Sequence, residues 1–227
     1  MTDRAACVVG AQGGMGRAIV ERLTRDGWPT IIGMDLGGPI AIDVADEQSV
    51  SAAFAAARPR AARLDLLVVA AGIVDQSPTA ALSTARWNQV LVVNLTGTFL
   101  CCRAALDWLA DGGRVVLISS LSARTGGGVT GVAYSVSKGG VETLAKALAR
   151  ELAPRRITVN CIAPGAIDTA MFASNTPQGQ AAMIAATPLK RTGTPEEIAG
   201  IVAFLASDDA GFITGATIAA NGGLRMD

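Results

Sequence analysis

The sequence predicts an α/β fold: a doubly wound parallel sheet with helices on both faces, built as a single domain over residues 1–227. Three observations predict it. Short apolar runs alternate with segments of helical period from end to end, and each strand–helix–strand crossover must bury a helix against the sheet. A glycine-rich turn separates the first apolar run from the first helical segment. Neither a linker nor a repeat interrupts the alternation.

Composition narrows the function. The chain has 227 residues, 50% of them hydrophobic and 17% charged, enough to bury a large core. Its formal net charge of zero offers no basic surface for nucleic acid or an anionic membrane. The longest notable apolar run, residues 66–74, is far short of a membrane span. Met1-Thr-Asp-Arg4 lacks a signal-peptide pattern, so a cytoplasmic location is expected. Histidine is absent, which excludes a Ser-His-Asp hydrolase and argues against a catalytic zinc site. No metal is expected. Cys7, Cys101, Cys102 and Cys161 show neither metal-ligand spacing nor a C-x-x-C pair and read as buried thiols.

Taken in order, residues 5–9 form a buried strand, and Gly10-Ala-Gln-Gly-Gly-Met-Gly16 leads into a helix over 17–26. Glycines in that context let a backbone approach a pyrophosphate seated on the helix N-terminus. Residues 29–34 form a second strand with Asp35 at its end, where a carboxylate can accept from both adenosine ribose hydroxyls and repel a 2′-phosphate. Read structurally, Asp35 is a turn former before Leu36-Gly-Gly-Pro39. That turn runs directly into a third strand, 40–42, ending at Asp43, with no room for a full helix between. Asp46 is placed to cap a helix through Ala57. Residues 64–71 form a fourth strand, apolar along its centre and closed by Gly72.

The spacing of Trp87, Val90, Leu91, Leu95 and Thr98 predicts one long helix over 84–109, with Asn94 in its middle. A buried asparagine there needs a partner, either to cap a kink or to orient a water. Residues 115–118 form a fifth strand ending in Ser119-Ser120. The loop of Gly126-Gly-Gly128 precedes a helix striped by Val141, Leu144, Ala145, Leu148 and Leu152. Residues 157–162 form a sixth strand, followed by Pro164-Gly165. Residues 168–187 show no strong period and suit a mobile lid. Thr194-Pro195 caps and opens another helix, and 217–220 is a last strand before the turn at Asn221.

The chemistry centres on Tyr134, the only tyrosine, and Lys138, one helical turn later on the same face. Such a pair is most often an ordinary surface contact. Here the ammonium would favour phenolate and lower the phenol's pKa, making it an acid/base for alcohol–ketone interconversion. A hydroxyl at the end of the fifth strand would meet it across a bound substrate, with Ser119, Ser120 and Ser122 all near.

In this order the residues resemble the short-chain dehydrogenase/reductase family over essentially the whole chain. Gly10-x-x-x-Gly14-x-Gly16 is similar to its nucleotide-binding turn, Ser120, Tyr134 and Lys138 to its catalytic triad, and Asn94 to the fourth member. Pro164-Gly165 and Thr169 match the segment at the nicotinamide carboxamide, and 188–198 resembles the stretch after the lid. The resemblance implies a Rossmann fold and hydride transfer at a carbinol carbon. Ser120 would hold the substrate oxygen, Tyr134 would exchange the proton, and Lys138 would bind the nicotinamide ribose. Asn94 would hold a water connecting Lys138 to solvent. The cofactor contacts implied are Gly10, Gly14, Met15, Gly16, Asp35, Asp43, Ala71, Gly72, Tyr134, Lys138, Pro164, Gly165, Ile167 and Thr169. A homotetramer is implied too, its helices packing through residues such as Leu100, Ala104, Val141 and Ala147. Four positions depart from the family pattern: Val9 for Thr, Val69-Ala70 for Asn-Asn, and Asn221 for Asp.

Asp35, with no basic residue beside it, points to NAD as cofactor. The substrate expected is a neutral, mostly apolar secondary alcohol or ketone. A cyclic, hydroxysteroid- or dihydrodiol-like one is suggested by the missing helix after Asp35. Its lining would come from Leu121, Val129, Ile167, Met171, Phe172 and Met183, with Arg124 the one possible anchor for an anion. Two alternatives are an NADPH-dependent 3-oxoacyl thioester reductase and a non-catalytic NAD-binding regulator. The regulator is disfavoured because Tyr134 and Lys138 are both kept.

Overall fold

The computed structural model of the protein describes residues 4–128 and 130–226, so Met1, Thr2, Asp3 and Asp227 of the expected domain lie outside the described residues. Its seven strands are all parallel: β1 (Ala5–Val9), β2 (Thr30–Asp35), β3 (Ile40–Ala41), β4 (Leu64–Val69), β5 (Leu109–Ile118), β6 (Thr158–Pro164) and β7 (Thr217–Ala220). Their order is β3-β2-β1-β4-β5-β6-β7. The order reverses between β1 and β4. A crevice opens there beyond the carboxyl ends of the strands.

Nine α-helices are found among the described residues: α1 (Gly14–Arg25), α2 (Glu47–Ala57), α3 (Thr84–Leu91), α4 (Gly97–Ala105), α5 (Ser122–Thr125), α6 (Val132–Leu152), α7 (Ala170–Ala173), α8 (Pro177–Ala186) and α9 (Pro195–Leu205). Alternation along β1 divides the core in two. Ala5, Cys7 and Val9 pack with Phe54, Leu100, Val141 and Leu148 on one face, while Ala6 and Val8 pack with Ile19, Leu23, Ile198 and Val202 on the other. Asp46 caps α2 by accepting from Gln48 N, and Thr194 and Glu197 close a capping box on α9. The four cysteines are buried and free.

Two expectations need correction. The helix expected over 84–109 is interrupted by a π turn at Val92–Thr96 between α3 and α4. It stops at Ala105, and Leu109 already belongs to β5. An apolar period reads the same on both sides of one inserted residue, and Leu106, Trp108 and Leu109 extend the stripe past its true end. Residues 168–187, where the sequence shows no strong period and suggests a mobile lid, carry α7 and α8. Thr169 caps α7, accepting from Phe172 N, and Thr176 caps α8, accepting from Gly179 N, with Pro177 opening it. Alanines on every side of α8 leave no apolar face for a period to reveal. Among the described residues, no helix is long and apolar enough to cross a membrane.

Candidate active site

The chain leaves β1 at Gly10 with φ +85°, and a Cβ there would stand 2.6 Å from Ala71 N. A Cβ on Gly16 would stand 2.0 Å from Gly10 O. Only glycine fits either place. Gly13 gives α1 no side-chain cap, and its first turn holds no acidic residue. The helix N-terminus therefore keeps free N–H groups and its positive end for an anion. Across the crevice, Thr169 Cγ2 would lie 2.9 Å from a Cβ on Gly14, so the bare backbone keeps this gap open. Asp35 is fixed beside the turn, its carboxylate accepting from Gln12 N and Leu36 N, both at 2.8 Å. Asp43 is exposed just past β3 and accepts from Ala45 N at 2.9 Å. These residues fit a dinucleotide: an anion cradle, then carboxylates further out along the strand ends.

Asn94 lies in the π turn and is fully buried. Its Oδ1 accepts from Ile73 N at 2.8 Å, while its Nδ2 donates to Ile73 O at 2.9 Å and to Ser137 Oγ at 3.0 Å. Its own carbonyl accepts from Thr98 Oγ at 2.7 Å. The side chain thus stitches the loop after β4 to α6. A Cβ on Gly72 in that loop would come within 3.2 Å of Asn94 Oδ1 and 3.3 Å of Lys138 Nζ.

Tyr134 and Lys138 are no surface pair: they are 7% and 4% exposed. Lys138 Nζ donates to Ile118 O at 2.7 Å and stands 5.9 Å from the Tyr134 ring centroid. Ser120 hydrogen-bonds the phenol, and its Oγ also accepts from Ser122 N at 3.1 Å. The other two serines are engaged elsewhere. Ser119 Oγ is shared between Lys138 O and Glu142 Oε1, each at 3.1 Å, and Ser122 Oγ accepts from Thr130 at 2.8 Å. Burial pushes the Tyr134 phenol above its ordinary value, opposed by the bond to Ser120. This corrects the expected lowering by Lys138, because the dry site acts on the phenol more strongly than the ammonium does. Burial also pushes Lys138 down to about 8.

A cavity of about 360 Å³ lies over Ser120 and Tyr134. Met15, Gly72, Pro164, Gly165, Ile167 and Thr169 of the expected cofactor residues line it, as do Leu121, Met171, Phe172 and Met183. Gly10, Gly14, Gly16, Asp35, Asp43 and Ala71 do not line it and lie along the neighbouring strand ends. Val129 lies outside the described residues. Among the described residues, Lys138 is the only charged one in the lining. Arg124, the expected candidate anchor, does not line it. Its Nε instead donates to Glu142 Oε2 at 3.1 Å. Sequence reasoning missed Gln76 and Asn175, whose amides bond at 2.8 Å across the cavity mouth, and Leu224 from the last turn. It also missed Glu142, although a carboxylate continuing the row 134, 138 was there to be noticed. No group of side chains suited to a metal ion occurs among the described residues.

Residues 30–225 match the family model described as enoyl-(acyl carrier protein) reductase. The acetoacetyl-CoA reductase of Cupriavidus necator is 36% identical, over 100% of both chains. The 3-oxoacyl-(acyl-carrier-protein) reductase MabA of Mycobacterium tuberculosis is 35% identical, over 99% of this chain and 94% of its own. Among solved structures, a short-chain dehydrogenase/reductase of Brucella melitensis, titled glucose/ribitol dehydrogenase, superposes with a TM-score of 0.92. It is 35% identical, over 99% of this chain and 98% of its own.

Tyr134→Phe deletes one hydroxyl and keeps the ring. It should lower turnover by roughly 10²–10⁴-fold while dinucleotide binding, followed by cofactor fluorescence, persists. A Phe variant at the parent rate would remove Tyr134 from the chemistry. The rate of ketone reduction should also depend on pH. Below about 8 both Lys138 and the phenol are protonated. As pH rises through that value Lys138 loses its charge, so kcat for reduction should fall on the alkaline side. A flat profile from pH 7 to 9 would contradict this.

Proposed function

The chain belongs to the short-chain dehydrogenase/reductase family of nicotinamide-dependent oxidoreductases, and we propose that it reduces the ketone of a 3-oxoacyl thioester with NADH. The observation that carries the substrate class is the cavity, apolar and with no charge but Lys138. Such a substrate brings in a ketone, a thioester carbonyl and an acyl chain, all uncharged, while the charged carrier stays outside. A free keto acid would bury a carboxylate without a basic partner beyond Lys138, at considerable cost. The names of the relatives support the same class. The main expectation, a neutral secondary alcohol or ketone, gives way to the thioester alternative, which the names of the relatives support better. The hydroxysteroid-like preference, drawn only from the short link between β2 and β3, goes with it.

When bound, the nicotinamide supplies the hydride that reaches the ketone carbon. The protein's part is the proton and the geometry. Ser120 and Tyr134 donate to the carbonyl oxygen, and Tyr134 transfers its phenolic proton as the alkoxide forms. The raised phenol pKa suits this direction, because the acid form prevails at neutral pH. Lys138 offsets the charge that develops on the phenolate and reaches toward the ribose. Asn94 holds the Gly72 loop beside it, and a water on this side would return the proton. Residues 168–187 serve as a lid, with Gln76–Asn175 as the contact that parts on entry.

NADH is favoured over NADPH by Asp35. A 2′-phosphate would bring negative charge against a carboxylate in a partly dry cleft. The assembly proposed is a homotetramer. Leu100 and Val141, expected at its interface, are core residues at 6% and 1% exposure. Of the other two expected there, Ala147 is exposed and Ala104 half-buried, and the large apolar residues on the outer faces of α4 and α6 are Phe99 and Val136, at 40% and 46%.

With acetoacetyl-CoA as substrate, kcat/KM should be at least about tenfold higher with NADH than with NADPH, and Asp35→Ala should narrow the gap. The thioester should also outrun neutral cyclic ketones by a similar factor. A reversed ranking would return the substrate to the cyclic class, and a preference for NADPH would remove the role given to Asp35. Light scattering at micromolar concentration should give four times the chain mass. A stable monomer would sink the tetramer.

A further inference from the structure

Tyr134, Lys138 and Glu142 stand at i, i+4 and i+8 on α6, one row facing the end of β5. All three are buried, Glu142 at 7% exposure. The first two have work in the reaction; the third touches neither the cavity nor the strand ends that hold the dinucleotide. A carboxylate out of water is costly, and a leucine would fill the same space without that cost. What Glu142 does, and a leucine cannot, is accept from two elements at once. Its Oε1 takes Ser119 Oγ at 3.1 Å, and its Oε2 takes Arg124 Nε at 3.1 Å. Ser119 directly follows the last residue of β5 and precedes Ser120, and Arg124 lies on α5, which begins two residues after Ser120.

We infer that Glu142 is a positioning residue of this active site, holding the Ser119–Ser120 end of β5 in register with the Tyr134–Lys138 face of α6. The inference rests on the reading that Ser120, Tyr134 and Lys138 carry the reaction. The strand end meets α6 at three points. Lys138 Nζ bonds Ile118 O, Ser119 Oγ bonds Lys138 O and Glu142, and Ser120 bonds Tyr134. Both the Ser120 and the Glu142 contacts reach on to α5, Ser120 through Ser122 N and Glu142 through the Arg124 side chain. The tail joins the same chain of bonds, since Arg225 donates to Arg124 O and Asn221 Nδ2 donates to Arg225 O at 3.0 Å. Ser120 is thus held on one side by Ser122 N and on the other through Ser119, which the Glu142 carboxylate grips.

The test compares Glu142→Leu, Glu142→Gln, Ser119→Ala and the Ser119→Ala/Glu142→Leu double variant of the full chain, with kcat counted per cofactor-binding site. Glu142→Leu and Ser119→Ala should each lower kcat about tenfold, because a displaced reacting group is costly. The KM for the ketone and the Kd for NADH should stay within roughly twofold. Gln keeps one acceptor oxygen and should recover part of the loss. The double variant should be no slower than the slower single, since both cut one link. A merely structural role would lower Tm and the active fraction and leave kcat per site untouched, which overturns the inference. So would additive losses. If Glu142→Leu does not fold, Ser119→Ala decides alone: a parent kcat overturns the inference and a tenfold loss supports it. Tyr134→Phe, run alongside, keeps the two readings apart. Activity in that variant sinks the active-site assignment, whereas parent rates confined to the Glu142 and Ser119 variants sink this inference only.

Discussion

A lysine ammonium sits inside this protein, 4% exposed, with a backbone carbonyl as its hydrogen-bond partner. That arrangement is unfavourable unless the surroundings are built for it. Ile118 O is available because β5 ends there, and β5 ends between β4 and β6, which fix its height in the sheet. Room for Nζ exists because Gly72 lacks a side chain, and Gly72 stays in place because Asn94 grips Ile73 on both its N–H and its carbonyl. The π turn that presents Asn94 is thus part of one requirement, that a cation survive beside a phenol. The same burial that lowers Lys138 raises Tyr134. The phenol is thereby kept in its acid form, as the proposed proton transfer requires, and burial is the first cause of both shifts.

Much of this was legible in the sequence because it depends on local rules. The glycine turn, the Asp46 and Thr194 caps and the absence of a helix between β2 and β3 are all written in neighbouring residues. Tyr134 and Lys138 could be found because helical spacing alone puts them on one face. What failed depended on distance. The period of residues 84–109 could not report the extra residue of the π turn, nor where helix gives way to β5. The alanine-rich α8 had caps but no face. The direction of the Tyr134 shift turned on burial, which no spacing reveals. Arg124 was read as an anchor for an anion because nothing in the sequence says that Glu142, 18 positions away, already holds it.

The distribution of charge explains how one crevice serves two unlike ligands. At the β1–β2 side, the uncapped start of α1 favours an anion and Asp35 stands further out. At the β5–β6 side the lining among the described residues is mostly apolar or uncharged, with Lys138 its one charge, and the arginine nearest in sequence is turned toward Glu142. A dinucleotide and the acyl ketone proposed as substrate would therefore be sorted by field before any shape is compared. The open sheet makes this possible, since its strand ends supply both halves from one edge.

The last turn shows how far such sorting reaches. Asn221 stands where the family pattern has an aspartate, and the exchange is chemically specific. Its Oδ1 accepts from Gly223 N at 3.0 Å, as a carboxylate would, but its Nδ2 donates to Arg225 O, which a carboxylate cannot do. The amide closes the turn from both sides. Leu224 is held at the cavity, and Arg225 is placed to bond Arg124 O. The end of the chain is thereby joined to α5 and, through Arg124 and Glu142, to the strand end that carries Ser120. An ionised carboxylate at 221 would keep the acceptor half of this turn and face the Arg225 carbonyl with negative charge. The wall of the substrate cavity would then lose its hold on the tail, although no reacting group had been touched.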